Sequence, residues 1–169
     1  MQEIEKLEIK RTNLKKLTVI EQIELMKLIY QTQKKTNKKE KYGIEVANSM
    51  LLFASIENVE KRFKDLEIFV LKNEEEILGT LSYLEEGNQY ELKSFYIKYD
   101  KLKKGYGSKL IIYVLNHLKE KGVKKVKVSI LPSSLKFYKK SGFKIIKEYF
   151  SKTTINDFTY KTFLLEKEL

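Results

Sequence analysis

A glycine-containing segment between residues 91 and 111 has the composition of a phosphate-binding loop. It begins as a strand-like run, Glu91-Leu-Lys-Ser-Phe-Tyr-Ile97, and continues as a short basic loop. Gly105-Tyr-Gly107 then stands directly before a stretch with helical periodicity. Such an arrangement exposes main-chain N–H groups at a helix N-terminus, where unpaired donors and the helix dipole favour a phosphate. The segment therefore predicts a site for a phosphate-containing ligand.

Two better-known phosphate motifs do not fit this spacing. A Walker loop requires Gly-x-x-x-x-Gly-Lys-Ser/Thr, which does not occur in the sequence. A dinucleotide fingerprint requires a glycine three residues after Gly107, where this chain has Leu110. A turn whose glycines only start a helix is an equally good interpretation of the segment taken alone. Residues beyond the helix are needed to choose between the two interpretations.

A second segment favours the binding loop. Residues 123–130 alternate between apolar and polar as a strand does, and Phe137-Tyr-Lys-Lys-Ser-Gly-Phe143 comes after Pro132. Together with the glycine loop, and in this order, the stretch from Glu91 to Phe143 resembles the acetyl-CoA-binding core of the GNAT superfamily of N-acetyltransferases. The resemblance is specific for residues 91–143. The first 60 residues agree with the family only in the order of their elements.

The resemblance implies an α/β (α+β) GNAT fold, with a central mixed, mostly antiparallel twisted sheet of about six or seven strands flanked by about four helices. Hydrophobic periodicity predicts the order β-αα-βββ-α-β-α-ββ, with residues 34–41 a loop or frayed helix end and residues 42–53 partly helical. Ser55 is a candidate N-cap for a helix ending near residue 65. No repeat or linker interrupts the sequence, so we expect one domain spanning residues 1–169. The predicted strands cover residues 9–11, 67–72, 77–84, 90–98, 123–130, 144–151 and 158–165, and the predicted helices cover residues 17–34, 55–65, 105–121 and 134–140.

The resemblance also implies where acetyl-CoA, the co-substrate, would bind. Main-chain N–H groups near the end of the strand would polarise the thioester carbonyl, and the glycine loop would hold the pyrophosphate. Leu102 stands where the family usually has Arg or Gln, and Leu131 where many members have Asn, so binding would depend on main-chain groups with help from nearby lysines. Ser133 or Ser134 would cap the short helix. The implied cofactor-binding residues are Phe95, Tyr96, Ile97, Leu102, Lys103, Lys104, Gly105, Tyr106, Gly107, Ser108, Ser134 and Phe137.

Two residues are candidates for acid–base chemistry. Tyr138 matches the family's tyrosine near the CoA sulfur and would donate a proton to the leaving thiolate. Glu91, eleven residues before Leu102, matches a catalytic glutamate of some members and would share a strand face with Lys93 and Phe95. The alternative interpretations are a packed core tyrosine and a solvated strand carboxylate.

Composition narrows the class of protein. The chain has no cysteine and one histidine, His117, so we expect no metal site. The net charge is +11, but only Arg11 and Arg62 are arginines, and we expect no nucleic-acid partner. No apolar run approaches the roughly 18 residues of a membrane span, and the N-terminus lacks a signal-peptide pattern. A cytoplasmic protein without a membrane partner is therefore expected.

The expected function is transfer of an acetyl group from acetyl-CoA to a primary amine by direct transfer in a ternary complex. The alternative is a catalytically weak CoA-binding sensor or regulatory protein with the same fold. The acceptor would be a small-molecule or peptide amine, which the sequence does not identify. The oligomeric state is equally open, a homodimer included.

Overall fold

The computed structural model describes residues 6–169, which form seven β-strands and five α-helices joined by short loops and 3-10 turns. The elements are β1 (Glu8–Thr12), α1 (Val19–Glu40), α2 (Ile44–Phe53), α3 (Val59–Phe63), β2 (Leu66–Lys72), β3 (Ile77–Glu86), β4 (Gln89–Ile97), α4 (Tyr106–Glu120), β5 (Lys125–Ile130), α5 (Leu135–Lys140), β6 (Lys144–Lys152) and β7 (Thr159–Glu168). The predicted fold class is confirmed, and residues 42–53 contain a complete helix.

One twisted sheet carries both hydrophobic cores. Its strand order is β1-β2-β3-β4-β5-β7-β6, and β4–β5 is the parallel pair in an otherwise antiparallel sheet. Adjacent residues of β2 point to opposite faces. Phe69 packs in the cluster that contains Ile111 of α4, and Ile68 packs in the cluster that contains Ile29 of α1. The helices α4 and α5 therefore cover one face of the sheet, and α1 covers the other.

Helix α1 begins with a capping box. The Thr18 hydroxyl accepts a hydrogen bond from the Glu21 N–H (3.2 Å), and the Glu21 carboxylate accepts one from the Thr18 N–H (2.9 Å). The reciprocal pair satisfies two main-chain donors that the first helical turn leaves unbonded. The start of α1 is thus fixed by local sequence.

The C-terminal end of α1 differs from the prediction. The helix continues through the charged run to Glu40, so the loop interpretation of residues 34–41 is wrong. Asn37 is buried and donates through its side chain to the carbonyl of Ala47 in α2 (3.0 Å). The Glu40 carboxylate accepts from the main-chain N–H of Ser133, which lies just after β5 (2.7 Å). These tertiary contacts outweigh the mutual repulsion of the lysines.

Residues 55–65 do not form the single helix that the sequence predicts. A 3-10 turn at Ile56–Asn58 precedes α3, which has five residues. Ser55 makes no side-chain cap to the main chain, because its hydroxyl donates to the carboxylate of Glu57 instead (3.1 Å).

Strand β4 contains a bulge that changes which residues share a face. Tyr96 lies opposite Thr80 and Lys93 lies opposite Ser82, so β4 has one extra residue over this interval, and Ser94 has a positive φ of 48°. Phe95 consequently packs with the core under α4, whereas Glu91 contacts the side of β5 that faces away from that core. The prediction that Glu91 and Phe95 share a face is wrong, because the bulge reverses the alternation.

Among the helices of residues 6–169, none combines the length with the hydropathy of a membrane-spanning segment.

Candidate active site

The sheet separates between its two central strands. Strands β4 and β5 pair only at Glu91–Lys127 and Leu92–Val128, and beyond Leu92 the edge of β4 has no strand beside it within the described chain. The Lys98 N–H donates to Leu78 of β3 (2.8 Å), so strand alternation directs the N–H and C=O of Ile97 away from β3. We call this gap, bounded by residues 93–97 of β4 and the end of β5, the opening.

The first turn of α4 offers unbonded donors. Gly105 precedes the helix with a positive φ of 83°, which an L side chain adopts only with strain, and no side chain caps this end. The first amide bonded back to the cap is that of Lys109, to the carbonyl of Gly105 (3.0 Å). Within residues 6–169 the N–H groups of Gly107 and Ser108 have no acceptor, and the turn contains no carboxylate. These groups can bind an anion.

The helix start lies against the opening and against α5. A Cβ atom placed on Gly107 would lie 3.5 Å from both Ile97 Cγ1 and Phe137 Cε2. The structure therefore brings together the end of β4, the glycine loop and the aromatic segment, which are separated in sequence. Lys103 and Lys104 are exposed beside this turn, without an ion pair to any described residue, and Leu102 is 44% exposed.

A groove of about 430 Å³ runs between α4 and α5 from this point. Ser108 and Phe137 line its end near the glycine loop, and Ile112, Asn116 and Lys140 line it further along. Its walls come from α4, from the α5 segment and from the last three residues of the chain, Lys167, Glu168 and Leu169.

Tyr138 is enclosed by aromatic rings next to the opening. Its ring packs edge-on against Phe95, Phe137 and Phe143 at centroid distances of 6.2, 5.4 and 5.3 Å, and the residue is 4% exposed. Its hydroxyl has no hydrogen-bond partner among residues 6–169. Burial, and secondarily the Tyr96 phenol, raise the pKa of Tyr138 well above its usual 10.0. The phenol is therefore neutral and able to donate.

The start of α5 differs from the prediction. Ser134 precedes the helix but makes no side-chain cap, and the amide of Ser133 is engaged by Glu40. Neither serine caps α5 through its side chain, because a 3-10 turn at Pro132–Ser134 leads directly into the helix.

Glu91 lies at the end of the paired part of β4. Its carboxylate pairs with Lys93 (2.8 Å) and accepts from the hydroxyl of Ser129 on β5 (3.1 Å). The Tyr149 hydroxyl donates to the same Ser129 oxygen (3.0 Å). This chain of hydrogen bonds connects Glu91 to a second cavity.

That second cavity, of about 240 Å³, lies at the opening on the sheet face covered by α1. Tyr96 lines it from β4 and Ser129 lines it from β5, while Gln33 and Arg62 come from the helical side. The Arg62 guanidinium donates to the Tyr96 hydroxyl (3.1 Å), which lies 3.4 Å from Gln33 Oε1. Sequence reasoning named Tyr96 only for its main chain and missed Gln33, Arg62 and Ser129, and the only available signal was that Arg62 is one of two arginines in a lysine-rich chain.

His117 lies away from both cavities. It packs against Phe69 and Tyr83, and its pKa is lowered chiefly by burial. Among residues 6–169 no three His, Cys, Asp or Glu side chains are grouped in a way that could hold a metal ion.

Comparison with known proteins identifies the family. A sequence model described as "Acetyltransferase (GNAT) domain" matches residues 31–164. A search of curated proteins finds no match.

Many solved structures share the fold, among them three acetyltransferases. The PaiA N-acetyltransferase from Thermoplasma acidophilum in complex with coenzyme A is 20% identical, with 97% of this chain and 99% of that chain covered and a TM-score of 0.73. A GCN5-related N-acetyltransferase from Rhodopseudomonas palustris is 12% identical (98% and 96%, TM-score 0.78). An aminoglycoside 6'-N-acetyltransferase complexed with coenzyme A is 14% identical (94% and 96%, TM-score 0.66). These structures show the shared fold, and because the family model covers most of the chain, the chain belongs to the GNAT family of acyl-CoA-dependent N-acetyltransferases.

Proposed function

We propose that this chain transfers an acetyl group from acetyl-CoA to a primary amine within a ternary complex, and that residues 1–169 form one catalytic domain. The observation that carries the proposal is the opening between β4 and β5, which has a helix start with unbonded N–H donors on one side and a polar cavity on the other. Two substrates entering from opposite faces would meet at the end of β4. We call the second cavity, lined by Tyr96, Ser129 and Arg62, the acceptor cavity.

The residues present fit acetyl-CoA. The free N–H groups of Gly107 and Ser108 would bind the pyrophosphate, with the exposed Lys103 and Lys104 adding positive charge beside it. The thioester would lie in the opening, where the N–H of Ile97 points. The solved relatives from Thermoplasma acidophilum and the aminoglycoside-modifying enzyme were both crystallised with coenzyme A, which supports this choice of ligand.

Three groups of the chain would serve the reaction. Glu91, through Ser129, would accept the proton that the ammonium must lose before its nitrogen attacks the thioester carbon. Main-chain N–H groups at the end of β4 would stabilise the negative charge that develops on the carbonyl oxygen. As the carbon–sulfur bond breaks, Tyr138 would donate to the departing thiolate.

A CoA-binding sensor with the same fold is the second candidate. Two observations favour it: Leu102 occupies the position of the usual Arg or Gln, and the Glu91 carboxylate is already paired with Lys93. Such a protein would bind acetyl-CoA without transferring its acetyl group to any amine.

Thermal unfolding with acetyl-CoA, with ATP and dephospho-CoA as controls, tests the site. At about 100 times Kd the ligand adds ~2.7 kcal/mol to the free energy of unfolding, which raises Tm by roughly 5–10 °C for a chain of this size. Thiol release with a panel of primary amines then separates the two candidates. Turnover excludes the sensor, a Tm shift without turnover favours it, and no shift at millimolar acetyl-CoA refutes both.

A further inference from the structure

The acceptor cavity contains one charged side chain. Its lining residues are mostly hydroxyl-bearing or apolar, none is Asp or Glu, and Arg62 alone carries a charge. A ligand that enters this cavity therefore meets a positive charge that no carboxylate in the lining balances.

The guanidinium of Arg62 is itself unpaired. It forms no ion pair with any carboxylate of residues 6–169, and its one hydrogen bond in this part of the chain goes to the Tyr96 hydroxyl. The ring of Phe53 lies over the guanidinium at 4.4 Å, and the Nε atom is buried without a partner. Arg62 is half-buried and no carboxylate among residues 6–169 pairs with it, so an anion that enters the cavity meets a cation free to bind it.

A second unsatisfied group lies in the same cavity. The Thr162 hydroxyl is buried and has no hydrogen-bond partner in the described chain. Two of the five buried side-chain atoms that lack a partner within residues 6–169 are thus in this one cavity. Native proteins satisfy nearly all buried polar groups, so their concentration here indicates a polar ligand.

We propose that the acetyl acceptor is a small amine that carries a carboxylate, and that Arg62 binds this carboxylate through its planar guanidinium. The inference rests on the proposed function and specifies its substrate class. Arg62 and Ser129 line the same cavity, so an amine whose carboxylate is held by Arg62 can approach the hydroxyl that donates to Glu91. The Arg62 guanidinium has terminal N–H donors beyond the one that bonds Tyr96, and a planar guanidinium can bind a carboxylate through two parallel hydrogen bonds.

The same cavity disfavours other amines. Polyamines and aminoglycosides carry several positive charges, which would approach Arg62 with no carboxylate in the lining to offset the repulsion. The volume of about 240 Å³ is also below the usual range of ligand pockets, roughly 300–1,000 Å³, which favours an acceptor of amino-acid size over a polypeptide.

Matched pairs of substrates test the proposal. Acetyl-CoA-dependent thiol release is measured with a panel of L-amino acids and with the corresponding amino-acid amides, which keep the amine and lack the carboxylate. Spermidine and kanamycin serve as polycationic probes. We expect kcat/KM at least about 10-fold higher for the preferred acid than for its amide, since a hydrogen bond to a charged group is worth roughly that factor or more.

Variants of Arg62 then test whether this residue causes the preference for the acid over the amide. Arg62→Gln is expected to lower kcat/KM about 10- to 150-fold for the acid and less than about 3-fold for the amide. Arg62→Lys, which keeps the charge but loses the planar guanidinium, is expected to be intermediate. Arg11→Gln is the matched control, because Arg11 pairs with Glu67 at the outer edge of the sheet (2.6 Å) and its loss should leave both substrates unaffected.

Three results would overturn the inference: equal use of acid and amide by the wild type, preferred use of a polycation, or an equal loss for both substrates in Arg62→Gln. The acetyl-CoA-induced Tm shift is recorded for every variant. Failure of the wild type to show that shift refutes the proposed function, whereas a normal shift without a carboxylate preference refutes the inference alone. If Arg62→Gln does not fold, the acid-to-amide ratio of the wild type still decides.

Discussion

Replacing Tyr138 by Phe removes one oxygen atom from the centre of the candidate site. The phenol ring packs against Phe95, Phe137 and Phe143, and a Phe ring keeps these contacts. The hydroxyl makes no hydrogen bond within residues 6–169, so its removal breaks no bond in the described chain. We therefore expect the free energy of unfolding to change by less than about 0.5 kcal/mol.

The same substitution should strongly reduce activity. A positioned general acid contributes about 100- to 10,000-fold to a rate, so we expect kcat to fall at least 100-fold. Substrate affinity should change little, since the thiolate that Tyr138 would protonate develops only during the reaction. Because burial raises the pKa of Tyr138 above 10.0, the wild-type rate should show no loss attributable to its ionisation below about pH 10.

Tyr83→Phe is the matched control. Tyr83 is equally buried, at 1% exposure, but its hydroxyl accepts from the Lys121 ammonium (3.2 Å). Loss of that hydrogen bond should cost about 1 kcal/mol and lower Tm by about 2–4 °C while leaving kcat unchanged. Tyr138→Phe is thus expected to lose activity and keep its stability, whereas Tyr83→Phe is expected to lose stability and keep its activity.

Steady-state thiol release and differential scanning fluorimetry measure both quantities. The reasoning fails if Tyr138→Phe retains more than a third of the wild-type kcat, because the hydroxyl would then have no role in catalysis. It also fails if Tm falls by several degrees, since the hydroxyl would then have a structural partner.

Two further predictions concern the cofactor loop and pH. Gly105→Ala forces a side chain into a φ of 83°, which should cost roughly 1 kcal/mol of stability and weaken acetyl-CoA binding at least about 5-fold by calorimetric titration. Gly43→Ala is the control for binding: Gly43 has a negative φ and open space around it, so the substitution should leave acetyl-CoA binding unchanged. A side-chain hydrogen bond and ion pair with Lys98 hold the pKa of Glu76 below its usual 4.5. The pair therefore stabilises the folded state above about pH 4.5, and this contribution is lost as the pH falls through the lower pKa of the folded state. Glu76→Gln should flatten the decline of Tm between pH 5 and pH 3, and an unchanged slope would contradict the assignment.

The local parts of the fold were predictable from the sequence. The helical period of α4 reflects a core on one side of the helix, which a sequence pattern records directly. Strands β2 and β3 are buried on both faces, so short, mostly apolar runs indicate them. The end of α1 was not predictable, because Asn37 is buried only through a contact with α2 ten residues later. The charged run alone indicated a loop, whereas its contacts with α2 and Ser133 make it helical.

The candidate site likewise contains some features that the sequence predicts and others that it does not. The glycine loop and Tyr138 belong to compact motifs, so their association could be inferred from the resemblance. The position of Phe95 relative to Glu91 could not, because the bulge at Ser94 depends on pairing with β3. Arg62 precedes Tyr96 by more than thirty residues, and no local pattern indicates that their side chains meet.

Helix α1 contacts both sides of the opening. Its Thr32 hydroxyl donates to the carbonyl of Ile97 at the end of β4 (3.4 Å), and its Glu40 carboxylate binds the amide of Ser133 just beyond β5 (2.7 Å). Two strands that have stopped pairing with each other are thus held apart by one rigid element. The gap exists before any substrate arrives, so binding does not have to bear the entropic cost of ordering its walls. A substitution in α1 that touches neither substrate could therefore weaken the binding of both.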